Sequence, residues 1–234
     1  MTTQGRIALV TGGNRGIGLE VCRQLAQQGT TVLLGSRDLA KGQAAAAPLQ
    51  RQGLDIQVHK LDVTDQADME RVRDQVAAAY ERLDVLVNNA AIHYDSWENV
   101  LDADMAIVRE ALEANTLGAW RMVQVFFPLL RKSAHGRIVN VSSEDGSLAS
   151  MGWDAPAYKL SKVGMNAVTR MLAGALRRDR ILVNSICPGW VATEMGGPGG
   201  RPIPEGAAGI VWAANLPDDG PTGGFFTDGR PLPW

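Results

Sequence analysis

The sequence predicts an α/β protein built on one doubly wound parallel sheet with helices on both faces. Two observations predict it. Short, apolar, β-branched runs alternate along the whole chain with longer segments of helical period. The residues suited to binding or chemistry stand directly after those runs, at Gly12, Asp62, Asn89, Ser143 and Pro188. In such a sheet the carboxyl ends of the strands share one edge, which is where ligands bind. The 234 residues contain no repeat and no low-complexity tract, and their number suits a single domain over 1–234.

Composition narrows the classes of function. Net charge is -2 with both signs interspersed, which argues against a nucleic-acid groove or an anionic membrane surface as partner. No apolar run approaches the length of a membrane span. The first residues, Met-Thr-Thr-Gln-Gly-Arg, enter a strand almost at once and carry no signal-peptide core, so a cytoplasmic location is expected. The two cysteines, Cys22 and Cys187, have no metal-ligand spacing and read as buried reduced thiols, and no metal site is expected.

The first strand covers Arg6 to Thr11. Gly12-Gly13-Asn14-Arg15-Gly16-Ile17-Gly18 follows, then an amphipathic helix to about Gln28. Strand, glycine turn and helix are the context of a dinucleotide fingerprint: glycines let the backbone approach a pyrophosphate, and the helix start offers free N–H groups. The spacing is Gly-x-x-x-Gly-x-Gly rather than Gly-x-Gly-x-x-Gly. The second strand, Thr31 to Ser36, ends where an acidic side chain would hold a ribose 2′-hydroxyl. Ser36 stands there instead, followed by Arg37. With Arg15 it forms a pair of guanidinium groups suited to a 2′-phosphate, which predicts NADP(H). Asp38 would oppose that phosphate if it points inward, and caps the next helix otherwise.

That helix runs from Asp38 to Gln52, with Pro48 disturbing its second half. The third strand, Ile56 to Leu61, ends at Asp62-Val63, where the carboxylate either accepts an adenine amino group or caps a loop. A helix over Asp65 to Glu81 leads to the strand Leu83 to Val87 and then Asn88-Asn89-Ala90-Ala91. Ala103 to Lys132 reads as one long helix. Asn115 within it is unfavourable by propensity, and is either an exposed passenger or functionally placed. The strand Arg137 to Val141 ends at Ser142-Ser143. Tyr158 opens a helix to about Arg177, and Lys162 stands one turn further on the same face. An ammonium there favours the phenolate and brings the phenol toward working pH. A strand over Ile181 to Ile186, a Gly/Pro-rich stretch at 196–204, a short helix over Glu205 to Asn215 and a strand at Phe225-Phe226-Thr227 complete the chain.

Taken together, Thr11-Gly12-x-x-x-Gly16-Ile17-Gly18, Asn88-Asn89-Ala90, Asn115, Ser143, Tyr158-x-x-x-Lys162 and Pro188-Gly189 with Val191 and Thr193 resemble the short-chain dehydrogenase/reductase family over nearly the whole length. The stretch 217–226 resembles the NADPH-dependent carbonyl reductase branch of plants and bacteria. The resemblance implies a Rossmann-type fold and an oxidoreductase moving a hydride between NADP(H) and a carbonyl or alcohol. It implies a catalytic tetrad: Tyr158 as acid/base, Lys162 lowering its pKa and binding the nicotinamide ribose, Ser143 on the substrate oxygen, and Asn115 holding a water of the proton relay. Ser143 is preferred to Ser142 because the family uses the second serine of the pair. By the same resemblance Asn14, Arg15, Ile17, Ala90, Pro188, Gly189 and Val191 join the cofactor site, Thr193 meets the carboxamide, and Asp62-Val63 flank the adenine.

Two departures stand out. A long insertion between serine and tyrosine in some carbonyl reductases is absent, which leaves a homodimer or homotetramer open, with Phe126-Phe127-Pro128-Leu129-Leu130 either at such a face or in the core. Glu144-Asp145 directly after Ser143 either select a polar or cationic substrate or face solvent, with solvent preferred. His93, Tyr94, Met151, Trp153, Trp190 and Met195 are candidates for an apolar pocket, with 196–215 as substrate loop and short helix and 196–204 as its lid. His59 and His135 read as surface residues. The competing functions are a 3-oxoacyl thioester reductase and a non-catalytic dinucleotide-sensing protein.

Overall fold

A computed structural model describes residues 5–234. The first four residues, which carry most of the N-terminal stretch read above, lie outside them. Eight strands form one sheet in the order β3-β2-β1-β4-β5-β6-β7-β8. They are β1 (Ile7–Val10), β2 (Thr31–Ser36), β3 (Ile56–Lys60), β4 (Val85–Asn88), β5 (Arg137–Val141), β6 (Leu182–Ile186), β7 (Phe225–Thr227) and β8 (Arg230–Pro231). All neighbours pair in parallel except β7 and β8, which form an antiparallel edge that the sequence did not announce. The reversal of direction between β3-β2-β1 and β4-β5-β6 sets a crevice over β1 and β4.

β1 shows how the two layers form. Ala8 and Val10 pack on one face with α1 (Gly16–Gln27), α2 (Leu39–Arg51) and α7 (Ile203–Ala214). Ile7 and Leu9 pack on the other, with α3 (Gln66–Tyr80), α5 (Ala119–Leu130) and α6 (Pro156–Ala175). Both faces are dry, so the central strands read as continuous apolar runs rather than alternating ones. Phe126, Leu129 and Leu130 lie in the second core, which decides that stretch for packing. Pro48 sits inside α2 without ending it, and Asp38 caps that helix by accepting from Lys41 N at 3.1 Å.

The long helix read over Ala103 to Lys132 is in fact three pieces. α4 (Met105–Ala111) passes into a π-helical turn over Leu112–Gly118 before α5 begins. A π turn inserts one residue into the helical ladder and re-aims the side chains around it. The turn is fastened to α6, where Thr116 Oγ1 donates to the Ser161 carbonyl at 2.7 Å. A buried polar ladder fixes the strand ends nearby. Asn88 donates to Asn140 at 2.9 Å, Asn140 to Thr169 at 2.8 Å, and Thr169 pairs with Ser185 at 2.8 Å.

Candidate active site

The glycine turn stands between β1 and α1. Gly12 and Gly16 have φ of 63° and 51°, a region open to glycine at little cost. A Cβ on Gly18 would lie 2.4 Å from both the Gly12 carbonyl and Asn89 Nδ2. Asn89 closes the turn from β4, donating to the carbonyls of Thr11 at 2.9 Å and Gly12 at 3.2 Å. Thr11 Oγ1 accepts from Asn89 N and Ala90 N at 3.0 Å. Arg15, at the cap position of α1, makes no capping bond. The first N–H groups of α1 are left for an anion, and the close backbone contacts admit no side chain in their way. The turn therefore fits a dinucleotide.

The ribose end is less settled than the sequence implies. Arg15 forms an exposed ion pair with Glu194, a residue sequence reasoning did not single out. Arg37 is exposed on the first turn after β2, and Ser36 is buried with its hydroxyl donating to the Asp38 carbonyl at 2.7 Å. Asp62 caps its loop through Oδ1, accepting from Thr64 N at 2.9 Å and Thr64 Oγ1 at 2.7 Å. Val63 is buried against Gly118 of the π turn. Beyond β6, Pro188 and Val191 are buried, Gly189 has φ of 72°, and Thr193 lies near the Cβ position of Gly16. The stretch 190–201 is tied down by bridges of Val191 with Arg201 and Thr193 with Gly197, and by the Trp190 indole N–H donating to the Gly196 carbonyl at 2.7 Å.

A cleft of about 290 Å³ opens at the carboxyl ends of β5 and β6. Tyr158 and Ser143 both line it, and the Ser143 hydroxyl also accepts from Asp145 N at 3.2 Å. Lys162 Nζ lies 5.3 Å from the Tyr158 ring centroid and donates to the Val141 carbonyl at 2.8 Å. Lys162 is 2% exposed, and burial pushes its ammonium down to about 8. The expected lowering of the Tyr158 phenol is not what this arrangement gives. Burial around the phenol and then the Asp145 carboxylate push its pKa up, outweighing the Ser143 hydrogen bond that lowers it. Tyr158 is thus held as a neutral proton donor.

Asn115 is wholly buried and is no passenger. Its carboxamide pairs with the backbone of Ile92, accepting from N at 2.8 Å and donating to O at 3.0 Å. It also donates to Ser161 Oγ at 3.0 Å, and that hydroxyl donates to the Tyr158 carbonyl at 2.7 Å. These contacts place it between the loop after β4 and the helix that carries Tyr158.

Tyr94, Trp190 and Met195 line the cleft; His93, Met151 and Trp153 do not. His93 pairs with Glu110 at 2.8 Å. His59 and His135 make ordinary contacts elsewhere, with Gln75 and Asp218. Glu144 and Asp145 both line the cleft, against the expectation of a purely solvent-facing pair. Asp145 lies 3.3 Å from Lys159 Nζ, which Asp154 also holds at 2.6 Å. Ser142, the competing serine, and Cys187, which was not foreseen there, also line the cleft. Ser142 has a buried hydroxyl with no partner. Cys187, expected only to be buried, accepts N–H bonds from Glu144 at 3.2 Å and Gly189 at 3.3 Å. Standing directly after a strand was the available signal for Cys187. Among the described residues no cluster of potential metal ligands occurs.

Sheet order, glycine turn and Ser-Tyr-Lys cleft define a dinucleotide-dependent oxidoreductase, and the chain belongs to the short-chain dehydrogenase family, whose model matches residues 6–201. Carbonyl reductase [NADPH] 1 of Sus scrofa is 34% identical, with 100% of this chain and 96% of the relative covered. That alignment runs over 284 positions against 234 residues here, so at least 50 of them have no counterpart in this chain. Among solved structures, salutaridine reductase from Papaver somniferum superposes with a TM-score of 0.84 at 33% identity, covering 95% of this chain and 99% of that one. NADPH-bound carbonyl reductase from chicken fatty liver superposes with a TM-score of 0.89 at 26% identity, covering 99% and 100%.

Proposed function

We propose that this chain is an NADPH-dependent carbonyl reductase, converting a ketone or aldehyde to the alcohol. The observation that carries the reading is that Tyr158 and Ser143 line one cleft with Ile17 of the glycine turn, with the buried Lys162 beside the phenol ring. The full-length similarity to a pig carbonyl reductase named for NADPH supports it. Residues 1–234 act as one dinucleotide-binding unit, with 196–215 as substrate loop and short helix.

Gly12, Asn14, Arg15, Gly16, Ile17 and Gly18 would hold the pyrophosphate, Arg15 and Arg37 the 2′-phosphate, Asp62 and Val63 the adenine end, and Asn89, Ala90, Pro188, Gly189, Val191 and Thr193 the nicotinamide half. The bound cofactor supplies the hydride. Tyr158 gives its proton to the carbonyl oxygen as charge grows there, and Ser143 steadies the same oxygen. Lys162 would meet the ribose hydroxyls with its ammonium. Asn115 supports the relay by holding Ile92 and Ser161 in place. Burial, and then Asp145, keep the phenol protonated, which suits reduction. Tyr94, Trp190 and Met195 give the substrate an apolar wall, and Glu144 a polar rim.

The chain also associates with copies of itself, as dimer or tetramer. α6 leaves Leu160 and Met171 exposed, and the adjoining π turn and α5 leave Leu117 and Trp120 exposed.

The test follows NADPH and NADH absorbance with aromatic ketones, aldehydes and an acetoacetyl thioester. Consumption of NADPH in preference to NADH, lost by about 10²-fold or more in Tyr158→Phe, is expected. A preference for NADH would overturn the roles of Arg15 and Arg37. Turnover of the thioester alone would favour the thioester reductase, and cofactor binding without turnover a sensor.

A further inference from the structure

The helix that carries Tyr158 and Lys162 has no cap of its own. Its cap position is Ala155, fully buried and held at φ 47°. A left-handed alanine is strained and offers no side-chain acceptor. Pro156 follows, so the first N–H groups needing partners belong to Ala157 and Tyr158. Both are answered from far along the chain. Asp95 Oδ2 accepts from Ala157 N at 2.9 Å and Oδ1 from Tyr158 N at 3.0 Å. Asp95 is 1% exposed and forms no ion pair among the described residues. A buried carboxylate without a cation is costly to keep, and only the helix N-terminus offsets it here.

The neighbouring residue holds the other end of the tyrosine. The Tyr94 ring stands edge-on to the Tyr158 ring, with centroids 5.0 Å apart. One dipeptide therefore grips Tyr158 at its backbone and at its ring. The same segment is anchored upstream to the glycine turn through Asn89, Ala90 and Thr11, and to the π turn through Ile92 and Asn115. Downstream it crosses α6's start again, where Val100 N donates to the Trp153 carbonyl at 3.2 Å and Asn99 bridges Asp154.

We propose that Asp95, assisted by Tyr94, is the positioning residue of the proton-donating tyrosine, locking it in register with the cofactor turn. The inference rests on the reading of Tyr158 given above. A shift of about 1 Å in a reacting group costs on the order of 10²-fold in rate, so loosening the first turn of α6 acts on kcat before it acts on binding.

The experiment compares wild type, Asp95→Asn, Asp95→Ala and Tyr158→Phe. It measures kcat, the KM of the carbonyl, NADPH affinity by fluorescence and amide exchange at Ala157 and Tyr158. Asp95→Asn keeps one acceptor and opposes the second N–H with an amide donor, so its kcat falls at least threefold. Asp95→Ala, with neither acceptor, falls at least tenfold. In both, NADPH affinity and the KM stay within twofold and the two amides exchange faster. Wild-type kcat in either variant, beside an inactive Tyr158→Phe, overturns the inference alone. So does a fall in kcat matched by lost NADPH affinity and lowered Tm, since the role would then be general stability. If Asp95→Ala does not fold, Asp95→Asn decides by the same readings. An active Tyr158→Phe overturns the reading of the site instead.

Discussion

At the scale of single residues, two titrating groups in the cleft pull in opposite directions. Asp145 raises the Tyr158 phenol. Replacing it by Asn removes the nearby negative charge, so the phenolate forms at lower pH. Alcohol oxidation, which needs the phenolate as base, should then show its alkaline rise displaced to lower pH in Asp145→Asn. An unmoved profile would remove Asp145 from the electrostatics of the site. Lys162 carries the opposite cost. Burial lowers it from 10.5 to about 8. Between those values the unfolded chain holds the proton and the folded chain does not, so stability rises with pH across that window. Below it the penalty is complete, on the order of 3 kcal/mol. Lys162→Met should therefore be inactive yet gain in Tm relative to wild type at pH 7, with the gain shrinking toward pH 10. A constant difference across that range would contradict the buried-ammonium account.

At the scale of elements, the glycine turn and the π turn decide how close backbones come. A Cβ at Gly18 would lie 2.4 Å from the Gly12 carbonyl and from the Asn89 amide. Gly18→Ala has to open the β1–α1 turn or expel Asn89. NADPH affinity measured by fluorescence titration should fall at least tenfold, with a Tm loss corresponding to about 1–3 kcal/mol of overpacking. The turn was legible because glycines, strand and helix are adjacent in sequence. The π turn was not. Helical periodicity runs through Ala103 to Lys132 unbroken, and nothing local shows that Asn115 is turned inward by pairing with Ile92. Pro48 and Pro128 both sit inside helices, and the irregular turn lies where no proline stands.

At the scale of the whole molecule, the strand order brings Gly12, Asn89, Ser143 and Pro188 to one edge, as their positions after strands implied. The short run from Ser143 to Tyr158 leaves the outer face of α6 without a covering segment of its own. Sedimentation velocity should accordingly give a dimer or tetramer, and Met171→Glu should shift it toward monomer. A wild-type monomer at micromolar concentration would remove self-association from the proposal. No described helix is long and apolar enough to cross a membrane.

Much of this protein is written in local pattern. The parallel sheet, the glycine turn, the Tyr158–Lys162 face and the Asp38 cap each depend on residues a few positions apart, where periodicity and turn chemistry act directly. The rest depends on groups brought together from remote positions. Glu194 reaches Arg15, burial and Asp145 raise the phenol, and Cys187 enters the cleft. Asp95 is the sharpest case. Ala155, at the cap position of the catalytic helix, offers no side-chain cap of its own. Which carboxylate supplied it was settled by tertiary packing, because a buried N–H must find an acceptor wherever the fold offers one.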